Sequence, residues 1–157
     1  MEKVHMTPEG FSSLENELKN LKFIERPAVV KAVSDARALG DLSENAEYHA
    51  AKDRQGFIEG RIQELESKLS RAEIIDITKL EGTSVKFGTT ITILDGSSDK
   101  EITYKIVGID EADIGKGLLS VGAPLARALM GKEVGDEIIL ETPSGKKEYE
   151  ILKISYT

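Results

Sequence analysis

The chain has 157 residues, 28 acidic against 21 basic side chains, a net charge of −7, and no cysteine or tryptophan. That balance argues against a protein that mainly coats nucleic acid, which relies on basic surface to displace counterions, although a local basic patch is compatible with it. Without cysteine there is no disulfide framework and no thiolate zinc site. With no apolar run of ~18 residues no membrane span is expected, and MEKVHMTPEG lacks the apolar core of a secretory signal, so the cytoplasm is the expected compartment.

The first half has a helical period. In MTPEGFSSLENELKNL, Thr7 can cap, Pro8 suits the first helical position and Glu9 sits near the positive end of the dipole. Phe11, Leu14, Leu18 and Leu21 form an apolar seam, which continues more weakly through Ala28 and Ala32 to Leu39, with Glu25 and Asp35 interrupting it. Pro27 lies inside the pattern and should kink the helix without ending it, since the period resumes beyond it. Gly40 stands where a C-terminal cap belongs. A second seam follows: Ala51, Ile58, Ile62, Leu65, Leu69 and Ala72.

The expected helices cover roughly residues 8–39 and 44–74, each about 45 Å long at the standard rise. A connection of about four residues makes them antiparallel, and the alternating spacing predicts a coiled-coil hairpin. Small residues near the turn (Ala36, Ala46, Ala50, Ala51) and leucines farther away predict a slender tip and a thicker base.

The second half changes period. EIIDI, TTITIL, EITYKIVGI, DEIILET and KEYEILKIS are short β-branched runs, with turn signals at Asp95-Gly96-Ser97-Ser98, Gly135-Asp136 and Pro143-Ser144-Gly145. One short helix, APLARALMG, is bounded by Pro124 and Gly131. The fold class is therefore α+β: a hairpin domain over residues 1–76, then a small antiparallel sheet domain with a short helix over 80–157. The GxGxxS run at Gly115–Ser120 lacks a strand-to-helix setting and is discounted as a phosphate loop.

The turn GDLSEN carries the chemistry. Asp41 is a competent helix cap, and Glu44 three residues on completes a capping-box-like pair, so a plain capped turn accounts for the sequence. A second reading uses the same carboxylates as hard oxygen ligands. Two are too few for Mg²⁺, which wants six, so an ion bound there would be shared with a partner. Arg37, Lys52 and Arg54 could meet phosphates, Tyr48 and Asn45 could contact a nucleotide, and His49 lies beside them. Solvated helix faces are the plainer use of all of these.

Three quoted stretches carry a resemblance: the opening MTPEGFSSLENELKNL, the run RPAVVKAVSDARALGDLSENAEYHAAKDRQGFIEGRIQELESKL, and the C-terminal YKIVGIDEADIGKGLLSVGAPLARALMGKEVGDEIILETPSGKKEYEILKI. Together they resemble the bacterial Gre transcript cleavage factors, GreA type, over nearly the whole chain. The resemblance implies an FKBP-like C-terminal domain that docks on bacterial RNA polymerase and a coiled coil that threads its secondary channel. It implies that Asp41 and Glu44 help hold a Mg²⁺ ion and a water at the polymerase active centre, where the nascent RNA 3′ end is cleaved. It maps a basic patch onto Arg37 and Lys52, the latter often arginine in relatives. Ala123 departs from a frequent serine before Pro124, which weakens that helix cap.

The implied role is an accessory factor, not an enzyme: it completes the polymerase site, works as a monomer and involves no membrane. A channel-binding inhibitor of the same fold is the alternative, and a freestanding prolyl isomerase with a helical arm is a rival of another class. No docking residues of the C-terminal half are assigned.

Overall fold

The computed structural model describes residues 2–40, 45–80 and 82–156. The chain divides into two compact units: residues 11–72, together with the N-terminal stub, form a helical unit, and Val4–Gly10 with the chain from Glu73 onward form a sheet unit.

The helical unit is an antiparallel pair. Its first arm comprises α1 (Pro8–Asn20), whose opening turn clusters with the sheet unit, a π-helical turn (Leu21–Glu25) and α2 (Arg26–Arg37). The second arm is α3 (Ala46–Ser70). Thr7 caps α1 as its sequence suggests, its Oγ1 accepting from the Gly10 N–H at 3.0 Å. The Glu111 carboxylate then accepts from the Thr7 N–H and the Gly108 N–H, each at 3.1 Å.

The bend device is the π turn preceding Pro27. Pro27 has no N–H, and in a regular α-helix its ring would meet the carbonyl of residue 23. The extra residue of the π turn accommodates this: the Arg26 N–H reaches back to the Leu21 carbonyl, five residues earlier. The helical chain continues, but its apolar seam moves on by one position. Ala28 and Ala32, expected inside, are exposed, while Val29, Val33 and Ala36 are buried, as are Ile58, Ile62 and Leu65 on the other arm. The apparent interruptions at Glu25 and Asp35 vanish with the shift. Glu25 turns out to an ion pair with Arg54, and Asp35 to one with Lys31. Valines in place of alanines in the seam bury more apolar area at each position, at ~25 cal/mol per Å².

The second arm is shorter than expected. It stops at Ser70, and Ala72, read as the end of its seam, opens strand β2 (Ala72–Ile74). Its partner is β1 (Val4–Met6), a strand that the sequence pattern did not announce.

The remaining sheet contains β3 (Thr90–Asp95), β4 (Lys100–Val107), β5 (Leu118–Ser120), β6 (Glu137–Thr142) and β7 (Gly145–Ser155), in the order β5-β4-β3-β7-β6. All pairings are antiparallel except β4–β5, which is parallel. β5 falls inside the discounted GxGxxS run. A bulge between Thr92 and Ile93 shifts the β3–β7 register, so that Ile93 faces Ile151 and both are fully buried. Helix α4 (Pro124–Leu129) contributes Ala126 and Leu129 to the same core, beside Val85, Ile91, Ile106 and Ile138. Ala123 occupies its N-cap with no side-chain hydrogen bond.

Candidate functional site

The candidate site is the end of the hairpin where α2 and α3 meet. Asp41 and Glu44 lie outside the described residues; the residues on either side define their setting. Helix α2 closes with the Ala38 and Leu39 N–H groups bonded back to Ser34 and Ala36 carbonyls, and Gly40 takes a φ of +124°, a conformation that suits glycine.

The cap of α3 is Asn45, not Asp41. Asn45 is extended (φ −86°, ψ 96°), and its Oδ1 accepts from the Tyr48 N–H at 3.0 Å. Its Nδ2 donates to the Ala36 carbonyl at 2.6 Å, so one side chain ties the end of α2 to the start of α3. Each end of the Asn45 amide makes one bond within the hairpin, and a second N–H and a second lone pair remain.

The expected basic residues divide between two flanks. The Arg37 guanidinium carbon lies 5.8 Å from the centre of the Tyr48 ring, a cation–π distance. Tyr48 also meets His49 edge-on at 5.5 Å. Lys52 is four residues after Tyr48 and therefore on the same face of α3; its Nζ donates to Gln55 Oε1 at 3.2 Å. Among the described residues no carboxylate pairs with Arg37 or Lys52. Arg54 is on the other flank, donating from Nη2 to Glu25 Oε2 at 2.8 Å. The structure thus gathers Arg37, Tyr48 and Lys52 and holds Arg54 apart.

Farther along the arms, Arg26 grips Glu59 through two bonds of 2.8 Å, and Arg61 grips Glu17 at 2.7 and 2.9 Å. The Arg26 guanidinium holds the Glu59 carboxyl below its ordinary range, and Lys68 followed by Arg61 does the same for Glu64. The Arg26–Glu59 and Arg61–Glu17 pairs tie the arms together, while the Glu64 pairs lie within α3. Among the described residues no three His, Cys, Asp or Glu side chains converge as a metal site.

The arrangement is a rod with an amide clamp at its end and a cationic, aromatic flank beside it. The family model for the N-terminal domain of transcription elongation factors matches residues 4–74, and the GreA/GreB C-terminal model matches residues 80–156. The chain belongs to the GreA/GreB family of transcription elongation factors. It is 57% identical over 156 residues to transcription elongation factor GreA of Maricaulis maris, covering 99% of each chain. It is 57% identical over 157 residues to GreA of Ruegeria pomeroyi, covering 100% of each. Among solved structures, GreA factor homolog 1 (Gfh1) of Thermus thermophilus is 28% identical, with a TM-score of 0.45, over 98% of this chain and 99% of that one.

Among GreA/GreB members the paired helical and sheet units are thus accounted for by two adjoining family domains. No helix among the described residues is long and apolar enough to cross a membrane.

Proposed function

We propose that this Gre factor binds backtracked bacterial RNA polymerase through its secondary channel and stimulates the polymerase's own cleavage of the nascent RNA 3′ end, so that elongation resumes. Membership of an elongation-factor family points to the polymerase as partner. The observation that supports the cleavage reading is the place of GDLSEN in the chain, between the end of α2 and the Asn45 cap of α3, at the end of the hairpin.

Their donor chemistry fits Mg²⁺ in kind, since both offer hard carboxylate oxygens, but two ligands fall short of the six the ion takes. The ion would be shared, with Asp41 and Glu44 completing a set that the polymerase begins. Bound there, Mg²⁺ supplies the Lewis acidity that phosphodiester hydrolysis needs. Asp41 and Glu44 would add negative charge at that point and orient water through their carboxylate oxygens. Arg37 and Lys52 neutralise phosphates of the extruded RNA, while the Tyr48 ring holds Arg37 in place. On this reading the protein brings no complete active site and acts as an accessory factor.

The prolyl isomerase alternative draws no support from the sheet unit. Its larger recess, about 170 Å³, is lined by Thr7, Ile75, Asp76, Gly88, Lys105 and their neighbours, with no aromatic side chain.

The deciding experiment adds the protein to a stalled, backtracked bacterial polymerase and measures release of RNA fragments. Accelerated release is the expected result. Polymerase binding with slowed elongation and no cleavage would instead establish the channel-binding inhibitor.

A further inference from the structure

Two large apolar side chains stand exposed on one flank of the hairpin. Ile24, in the π turn, is 64% exposed, and Phe57, on α3, is 69% exposed. Phe57 lies three residues after Arg54 and four before Arg61, which places all three along one face of α3. Arg54 crosses to Glu25, adjacent to Ile24, and Arg61 crosses to Glu17, one helical repeat before it. The flank is therefore bracketed by two interhelix ion pairs with apolar groups between them. The opposite flank carries the Lys22–Glu66 and Arg26–Glu59 pairs.

The π turn accounts for this exposure. By moving the seam on one residue it buries Val29 and Val33, and it leaves Phe23 (73% exposed) and Ile24 outside the seam. Insertions of this kind recur at functional positions.

The flank's own chemistry limits what can cover it. Its arginines are neutralised by Glu17 and Glu25, so a nucleic acid finds no unpaired cation there. Together Ile24 and Phe57 expose on the order of 250 Å², given ~150–250 Å² per large side chain. A stable dimer needs about 800 Å² per partner, so a second copy is a poor occupant. An apolar protein surface, on a partner that is already held elsewhere, fits both limits.

We infer that Ile24 and Phe57, with Phe23 beside them, form an apolar foothold on the RNA polymerase channel wall that seats the hairpin at a set depth. The inference rests on the polymerase-binding reading above. Phe57 stands about 17 Å along α3 from Ala46 at the helical rise of ~1.5 Å per residue, so a grip there fixes how far the tip can advance.

The test compares the parent, an Ile24→Ser/Phe57→Ser double variant and a Val30→Ser control. Val30 is 50% exposed and four residues after Arg26, on the opposite flank. Polymerase affinity is measured by displacement of a labelled parent, oligomeric state by sedimentation, and folding by circular dichroism. A photo-crosslinker is also placed at residue 57. The double variant should fold and sediment like the parent, lose about tenfold or more in affinity, and leave the control unaffected; the crosslink should form to polymerase protein. Equal affinity of parent and double variant overturns the foothold. So does a crosslink to RNA, or a parent dimer that the double variant dissolves. A parent that fails to bind polymerase at all sinks the underlying functional reading, a result distinguishable from failure of the foothold alone.

Discussion

The Asn45 amide nitrogen donates to the Ala36 carbonyl at 2.6 Å, bridging nine residues and joining the last turn of α2 to the first turn of α3. The same side chain caps α3 through the Tyr48 N–H. Asn45→Ala should therefore cost about 1 kcal/mol for the lost cap, with a further loss from the orphaned carbonyl. Asn45→Asp keeps the accepting oxygen and removes the donor. Thermal unfolding should rank the parent above Asp and Asp above Ala. Polymerase affinity should stay near the parent value while stimulated cleavage falls in the same order.

Asp41 and Glu44 are expected to act on the reaction and little on the fold. Asp41→Asn and Glu44→Gln should each leave polymerase binding near the parent value. Fragment release from a backtracked complex should fall at least tenfold at limiting Mg²⁺ and recover in part at high Mg²⁺. Undiminished cleavage by either variant would contradict the role proposed for the pair.

The two basic flanks predict different responses to mutation. Arg37→Ala and Lys52→Ala should slow cleavage, with a reduced dependence on salt, because each removes a cation placed to meet phosphate. Arg54→Ala removes a partner of Glu25 and should leave the salt dependence of cleavage unchanged. Cleavage rates from 50 to 300 mM salt, roughly, would separate the two cases. An Arg54 variant that behaves like the Arg37 variant would place the RNA on the wrong flank here.

Acid should loosen the hairpin. Arg26 lowers the Glu59 carboxyl, and Lys68 and Arg61 lower Glu64. A carboxyl lowered in the folded state contributes stability that is fully present above its unfolded value of ~4.3 and lost as pH falls through the folded one. The melting temperature should therefore be level from pH 7 to about 5 and fall below about 4.3. Glu59→Gln should flatten part of that fall. Because these groups are solvent-exposed, the effect should also shrink at high salt.

Helix α4 offers a gain. Ala123 holds an extended N-cap conformation (φ −67°, ψ 145°) with no side-chain acceptor. Ala123→Ser supplies one, and should stabilise the sheet unit by about 0.5–1 kcal/mol. Denaturant unfolding followed by a probe in that unit would register the gain.

Residues with strong local preferences were legible from the chain alone. Thr7 and Pro8 open a helix because a hydroxyl acceptor and a fixed φ suit that position in any context. Gly40 marks the end of the first arm because its positive φ is disfavoured for other residues. The β-branched runs that became β3, β4, β6 and β7 read as strands because alternation survives without knowledge of the partner. The acidic pair in GDLSEN was visible as candidate chemistry from the chain alone.

The rest depended on neighbours distant in sequence. β1 and β5 have three residues each, too few for a period, and exist because β2 and β4 offer them backbone partners. Val29 and Val33 replaced Ala28 and Ala32 in the seam because the π turn rotates everything after it, and α3 presents Ile58 and Ile62 to the larger side chains. Arg54 found an ion-pair partner in Glu25, 29 residues away. Asn45 became a clamp only when the two arms brought Ala36 within reach. The amino-acid sequence determined which segments are helix, which are strand and which acids sit at the turn, since those follow from local backbone and side-chain preferences. The tertiary structure decided which faces are buried and which charges remain available, since both are set by partners that only folding brings together.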